Sequence, residues 1–244
     1  MPKLKVTLAY DGTAYRGFQL QPGEDTIQAR LESALSQMAK EPVRVTAAGR
    51  TDSGVHAWAQ VIHFRLPRPI PPRGILEGLN SMLPEDIRIR QVDEAEDDFH
   101  ARFGARSKTY RYFFDRAAVP SPLRCRYTLH YPHPLDREAL EAAAALFVGE
   151  RDFAAFRAAS CEAHTTVRHC TASAFLNEGS ELVYEIEASG FLHHMVRNIV
   201  GTLLEVGRGK RRASSLESVF ASQQRSEAGP TAPARGLHLM KVTY

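Results

Sequence analysis

The segment VRVTAAGRTDSGVHAWAQVIHFRL, residues 43–66, contains two strand-like runs on either side of a polar loop. Apolar and β-branched residues recur in VRVTAA (43–48) and AQVIHFRL (59–66), which is typical of strands. Between them, AAGRTDSGVHA (47–57) collects small residues with an Arg, an Asp and a His, a composition that suits neither a helix nor a strand. The sequence therefore predicts two strands joined by a loop that carries chemically active side chains.

Other elements flank this pair of strands in a regular order. KLKVTLAY (3–10) is strand-like, and apolar residues then recur at helical spacing over 26–40. A second helix is predicted over 73–82 after the proline-rich PIPPR, and IRIRQV (87–92) alternates like a strand. The resulting order, β-α-β-β-α-β, is that of the ferredoxin-like plait.

The same order recurs in the second half of the chain, without any residue-level repeat. Strands are predicted over 109–114, 172–177, 181–188 and 237–244, and helices over 136–148 and 194–207. We therefore expect an α+β protein of two ferredoxin-like (RRM-like) halves with antiparallel sheets. Residues 1–100 would form the N-terminal domain that carries the Asp loop, and 105–244 the C-terminal αβ domain. Two long loops, 115–135 and 149–170, interrupt the second half.

Composition and charge narrow the class of protein. The 244 residues include three cysteines and no apolar run long enough to span a membrane, so we expect a soluble protein of the cytoplasm. The net charge is only +3, but Arg and Lys gather in three segments, 65–73, 101–111 and 208–212. The middle segment also contains aromatic residues, and rings beside guanidinium groups suit the binding of unstacked bases and phosphates.

Several interpretations of the polar residues compete. Asp52 lies in TDSG, which resembles the D-[ST]-G of aspartic proteases, but the chain contains no second such motif. An Asx turn would be the favoured explanation of Asp52 if its motif stood alone. Four potential zinc ligands lie within CEAHTTVRHC (161–170), yet their spacing differs from that of structural zinc sites, so we expect no metal.

Arg197 is the second charged residue that requires an explanation. It lies within FLHHMVRNIVG (191–201), on a predicted helix rich in apolar residues. A buried Arg needs an acidic or phosphate partner, and Asp52 has the complementary need for a cation.

Several motifs in one order give the chain a family likeness. These are YDGTAYRGFQLQ with TIQARLESAL (9–35), GRTDSGVHA (49–57) with QVIHF (60–64), FHARFGARSKTYRY (99–112), FLHHMVRNIVG (191–201) and APARGLHLMKVTY (232–244). Together they resemble the tRNA pseudouridine synthase A family. Departures are small: Phe18 stands where the family often has Trp, and ERDFAAF (150–156) matches its G-E-H-D-F-x-x-F pattern only loosely.

The resemblance implies isomerisation of uridine to pseudouridine at positions 38, 39 and 40 of the tRNA anticodon stem-loop. It also implies a basic cleft between the two halves, completed by the C-terminal domain, and a homodimer that uses neither a cofactor nor a metal. By the family pattern Asp52 is the catalytic carboxylate, Tyr110 the residue beside the flipped uracil, and Arg197 the basic partner of Asp52. The residues expected to bind the substrate are Arg50, Thr51, His56, Lys108, Arg111, Arg208, Lys210, Arg211 and Arg212. The alternative function is a non-catalytic RNA-binding protein built from RRM-like plaits.

Overall fold

The computed structural model of the protein describes residues 3–161, 163–179 and 181–244; Met1, Pro2, Glu162 and Ser180 lie outside the description. The fold is mixed α+β, as expected. Backbone contacts divide the chain into two units. The first contains the residues up to Arg106 together with His238–Tyr244, and the second contains Ser107–Leu237.

Ten strands and five α-helices are found in the described part of the chain. The strands are β1 (Lys3–Tyr10), β2 (Thr46–Ala47), β3 (His56–Arg65), β4 (Ile87–Ala95), β5 (Ser107–Asp115), β6 (Leu129–His130), β7 (Gly149–Asp152), β8 (Val167–Glu178), β9 (Glu181–Ala188) and β10 (Leu237–Thr243). The helices are α1 (Ile27–Ala39), α2 (Pro72–Met82), α3 (Arg137–Ala145), α4 (Met195–Gly207) and α5 (Leu216–Ser222). None of these helices is long and apolar enough to cross a membrane.

The sheet of the first unit is centred on β1 and β3. β1 pairs with β3 and with β4, both antiparallel. The other edge of β3 has two partners. β10 pairs with it in parallel at His56 and Ala57, and β2 pairs with it antiparallel at Ile62 and His63. Every second residue of β1 from Leu4 to Tyr10 is buried, as the alternation of a half-buried strand requires. The outer edge of β3, the strand that follows the Asp52 loop, is thus covered by two short pairings.

The sheet of the second unit has the order β5-β9-β8-β7, with antiparallel pairing throughout. β6 adds a short parallel pairing to the end of β5. Four phenylalanines, Phe147, Phe153, Phe156 and Phe220, pack together with ring centroids 5.2–6.4 Å apart. Two of them come from ERDFAAF (150–156), so the aromatic positions of this loosely matched motif serve the hydrophobic core.

The helices and strands differ from the sequence-based expectation in three places. The strand expected over 43–48 is reduced to β2, because the Val43 and Val45 N–H groups donate to Ser36 Oγ and Glu32 Oε1 of α1. β6, β7 and α5 were not predicted; β6 and β7 lie in the segments expected to be long loops. His238–Tyr244, which we assigned by sequence to the C-terminal domain, is grouped with the first unit through its pairing with β3.

Candidate active site

The loop that carries Asp52 alternates buried anchors with accessible side chains. Thr51 and Val55 are buried, Asp52 is half-buried, and Arg50 and Ser53 are exposed. The Val55 N–H donates to the backbone carbonyl of Asp52 at 3.1 Å, which closes a turn over residues 52–55. Gly54 in this turn has φ +78°, a backbone conformation that glycine adopts without strain. The turn is therefore closed by the main chain, and the Asp52 side chain is not needed to close it.

A buried hydrogen-bonded chain anchors the loop from below. The Tyr10 hydroxyl lies 2.8 Å from Thr51 Oγ1, and Gln60 Nε2 donates to the Gly49 carbonyl at 2.9 Å and approaches the Tyr10 hydroxyl at 3.4 Å. Burial raises the pKa of Tyr10 to about 12, so its hydroxyl stays protonated at neutral pH. The residues on both sides of Arg50 are thereby tied to β1 and β3.

The segment YDGTAYRGF (10–18) fits closely against the same loop. The Phe18 N–H donates to the Thr51 carbonyl at 3.0 Å, and Ser53 Oγ donates to the Tyr15 carbonyl at 3.0 Å. A Cβ on Gly12 would lie 2.1 Å from the Val55 carbonyl oxygen, so only glycine permits this approach. The segment 10–18 therefore supports the Asp52 loop. The sequence alone did not predict this role.

Phe18 is part of this support. Its ring is buried and lies 6.3 Å from the Tyr10 ring. The departure from the Trp often found in the family therefore affects packing beneath the loop.

His56, which we expected to bind substrate, is buried below the end of the loop. Only 3% of its surface is exposed, and Nδ1 lies 3.1 Å from both the Gly12 nitrogen and Asp11 Oδ1. Its ring also stacks on His238 of β10, with the centroids 4.7 Å apart. These contacts favour a role in holding the loop over direct contact with substrate; the same burial applies to Thr51.

Tyr110 and Arg197 belong to the second unit. Tyr110, on β5, is 7% exposed, and its ring meets that of Phe191 edge-on with the centroids 4.9 Å apart. Arg197 is half-buried on α4, and its Nε donates to the Ala232 carbonyl at 2.7 Å. The Ala232 N–H donates back to the Arg197 carbonyl, so this pair of hydrogen bonds orients the guanidinium.

The segment around Ala232 is itself held against α4. Arg225 Nη2 donates to Asn198 Oδ1 at 3.0 Å and to Thr231 Oγ1 at 3.1 Å. A Cβ on Gly201 would lie 1.6 Å from the Pro230 carbonyl oxygen, so this helix position must be glycine. The orientation of Arg197 thus depends on packing within about one turn of it along the same helix.

Lys108 and Arg111 of β5 are less available to a ligand than we expected. Lys108 is 9% exposed. Arg111 forms ion pairs with Glu178 at 2.5 Å and with Glu185 at 2.6 Å, so two carboxylates already balance its charge.

The C-terminal basic segment forms a separate, open depression of about 610 Å³. Its lining includes Lys210, Arg211 and Arg212 with Ser214, Ser215 and Ser218. Arg211 pairs with Glu205 at 3.1 Å, whereas no carboxylate of the described chain lies within 4 Å of Lys210 or Arg212. Arg208 is exposed beside the depression, at the end of α4. Three of the four basic residues therefore offer charge to an anion such as phosphate.

The cysteine-containing segment offers little to a metal. Cys170 is buried on β8, and burial raises the pKa of its thiol to about 11, which disfavours the thiolate that binds metals. Its neighbour His169 is exposed, as expected of consecutive residues on a strand.

The chain is similar to known proteins along its whole length. A family model described as tRNA pseudouridine synthase matches residues 7–104 and 143–244. Proteins named tRNA pseudouridine synthase A from Myxococcus xanthus and Geobacter sulfurreducens are each 46% identical to it over 100% of the chain and 92% and 100% of their own lengths. The protein of that name from Bacillus pumilus is 43% identical over 99% of both chains. By this match over most of its residues, the chain belongs to the tRNA pseudouridine synthase family.

Proposed function

We propose that this protein, an isomerase that converts uridine to pseudouridine in tRNA, acts on the anticodon stem-loop and uses Asp52 as its catalytic carboxylate. The observation that carries the proposal is the support of the Asp52 loop. Buried side chains and backbone hydrogen bonds hold its neighbours, while Asp52 itself is half-buried. Fixed placement of a reactive group is what catalysis requires of a loop.

The reaction explains why a carboxylate belongs there. Pseudouridine formation breaks the N-glycosidic bond at C1′ and joins the same carbon to C5 of the uracil. Asp52 either attacks C1′ or assists deprotonation of the sugar towards a glycal intermediate, and both routes use an ionised carboxylate. A uridine within a stem is inaccessible, so it must first be flipped out of the stack, a step to which we assign exposed Arg50.

Tyr110 and Arg197 take the two remaining catalytic roles. Tyr110 would stack on the uracil and accept or deliver the proton at C5, and its contact with Phe191 fixes the plane of its ring. Arg197 would be the basic partner of the Asp52 carboxylate, and the Ala232 carbonyl orients its guanidinium. The family pattern supports both assignments.

Exposure divides the residues expected to bind the substrate into groups with different proposed roles. The exposed cations Arg50, Arg208, Lys210 and Arg212 are proposed to contact RNA, because phosphate contacts need accessible charge. Thr51 and His56 are proposed to position the Asp52 loop. Arg211, Lys108 and Arg111 have less support, since ion pairs or burial already engage them.

Further properties follow from the family likeness and remain proposals. They are a homodimer, the absence of a cofactor or metal, action in the cytoplasm, and two RRM-like halves with a basic cleft. In the first unit, the strand order β4-β1-β3 with β2 on the outer edge of β3 supports the ferredoxin-like assignment.

The test is to incubate chelator-treated protein with unmodified tRNA transcript and to map pseudouridine at nucleotide resolution. We expect signal confined to positions 38–40 of the anticodon stem-loop. Asp52→Asn should abolish turnover and leave tRNA affinity largely intact. Asp98→Asn, the same change at an exposed acid of the same unit, is the matched control and should be active.

Three outcomes would contradict the proposal. Signal elsewhere in the tRNA would refute the target, and turnover by Asp52→Asn would refute the catalytic role. Tight tRNA binding without any turnover by the unaltered protein would favour the alternative, a non-catalytic RNA-binding protein.

A further inference from the structure

Phe103 is an exposed aromatic residue in a basic segment. Its side chain is 78% exposed, although burial of a phenylalanine normally stabilises a protein by roughly 2 kcal/mol. It lies in FHARFGAR (99–106), between Arg102 and Arg106. Nothing in the mechanism proposed above uses it, so its exposure calls for a separate explanation.

The ring is held in place from one side. The Nδ1 atom of His100 accepts the backbone N–H groups of Arg102 and Phe103, each at 3.1 Å. The Gly104 N–H donates to the His100 carbonyl at 2.8 Å, which closes the turn. The His100 and Phe103 ring centroids are 4.5 Å apart with an interplanar angle of 33°. Because 78% of its surface is nevertheless exposed, most of the side chain remains accessible to a ligand.

The turn is anchored to the first unit beneath it. His100 packs edge-on against His63 of β3 at 4.8 Å, and buried Ala101 donates its N–H to His63 Nδ1 at 3.1 Å. The Tyr244 hydroxyl donates to the Ala101 carbonyl at 2.8 Å. Phe103 is therefore displayed on a fixed turn, and little conformational entropy is lost when a ligand stacks on it.

Positive charge accompanies the exposed ring. The Arg102 guanidinium carbon lies 5.5 Å from the Phe103 ring centroid. Within the described residues no carboxylate lies within 4 Å of this guanidinium, so it keeps its charge for a ligand. An exposed ring with an adjacent cation matches a nucleotide, which offers a flat base and a phosphate. One ring is too small to form a stable protein interface, which needs about 1,000 Å² of buried surface.

We propose that Phe103 and Arg102 form a stacking platform for one unpaired nucleobase of the tRNA, with Arg102 contacting the adjacent phosphate. The inference rests on the proposed function, because it takes tRNA as the ligand. It adds a binding site on the first unit, outside the Asp52 loop. The base is unpaired because a base within a duplex has both faces covered by its neighbours.

The test measures the affinity of the full-length protein for an unmodified tRNA transcript over a range of salt concentrations. Phe103→Leu keeps an apolar side chain and removes the aromatic face, whereas Phe103→Trp keeps such a face. We expect Phe103→Leu to weaken binding by about fivefold or more and Phe103→Trp to bind as the unaltered protein does. The salt slope should be unchanged in both, whereas Arg102→Gln should reduce it by about 0.7–0.9.

A second RNA serves as the matched control. A blunt duplex of similar length has no unpaired base, so Phe103→Leu should bind it as tightly as the unaltered protein does. Unchanged tRNA affinity in Phe103→Leu, or equal weakening with both RNAs, would overturn the platform. So would a change in oligomeric state in Phe103→Leu, since it would assign the ring to a protein contact.

This experiment and the test of the proposed function fail independently. If Phe103→Leu binds tRNA normally while Asp52→Asn loses turnover, only the platform is refuted. If Phe103→Leu weakens binding while Asp52→Asn keeps turnover, only the catalytic role of Asp52 is refuted.

Discussion

Replacing Tyr10 with Phe would remove one hydroxyl from beneath the Asp52 loop and leave the ring in place. The hydroxyl makes a buried 2.8 Å hydrogen bond with Thr51 Oγ1. A bond of this kind contributes about 1 kcal/mol net, and a buried polar group that loses its partner costs about 1–3 kcal/mol. Gln60 Nε2 would lose its 3.4 Å contact with the Tyr10 hydroxyl but keep its bond to the Gly49 carbonyl, so the larger cost falls on the Thr51 hydroxyl. We therefore expect a loss of about 1–2 kcal/mol, or a fall in Tm of roughly 2–8 °C in a chain of this size.

A double-mutant cycle isolates the interaction. Thr51→Val is the isosteric partner change, and the double variant leaves neither hydroxyl without its partner. We expect Tyr10→Phe and Thr51→Val each to lower stability, and the double variant to be about 1 kcal/mol more stable than the sum of the two predicts. Denaturant unfolding measures the free energies, and steady-state assays on tRNA measure kcat and KM.

The kinetic result decides whether the bond matters to catalysis. If it orients Asp52, kcat should fall in both single variants while KM stays the same. The control is Tyr184→Phe, which removes an equally buried 2.8 Å hydrogen bond, to Ser173 Oγ in the second unit, and should lower stability without lowering kcat. Additive free energies in the cycle, or an equal kcat loss in the control, would refute this account of the loop.

Three further predictions concern packing, pH and salt. Gly201→Ala should cost at least about 3 kcal/mol, because its Cβ would lie 1.6 Å from the Pro230 carbonyl oxygen; an unchanged Tm would contradict this. Burial and nearby cationic groups lower the pKa of His63 from 6.5 to about 4, so unfolding takes up a proton and Tm should fall as pH drops through this range. His63→Asn keeps an acceptor for its backbone partner and should flatten that fall; an equally steep fall would exclude His63 as its source. Lys210→Gln with Arg212→Gln should reduce the salt slope of tRNA binding by about 1.4–1.8, and an unchanged slope would place the phosphates elsewhere.

The regular elements could be predicted because local patterns determine them. β1, α1, β3, α2 and β4 all occur within a few residues of the expected positions. Apolar residues alternate along β1 and recur at helical spacing along α1, because each element buries one face. The period of the apolar residues in the sequence therefore indicates the type of element. Thr26 also caps α1 by accepting the Ala29 N–H, a local signal of the same kind.

What could not be predicted depends on contacts between residues far apart in sequence. The segment 43–45 has a strand-like composition, but side chains of α1 accept hydrogen bonds from its backbone N–H groups, so these groups do not pair with a strand. For the site, the motif at 49–57 indicated Asp52 as a candidate, whereas the support of its loop by Tyr10 and Gln60 became apparent only from the fold. The burial of His56 could not be predicted from the sequence either, because His56 stacks on His238, which is distant in the chain.

The pairing of β10 with β3 has a consequence for biosynthesis. A ribosome releases β3 long before β10, since the whole second unit is made between them. Until β10 emerges, the nascent first unit lacks the strand that covers β3 at His56, and the ring of His238 that stacks there is missing. The bare strand edge is a site for mispairing with other chains during translation. The Asp52 loop therefore gains this support only after the whole second unit has been synthesised.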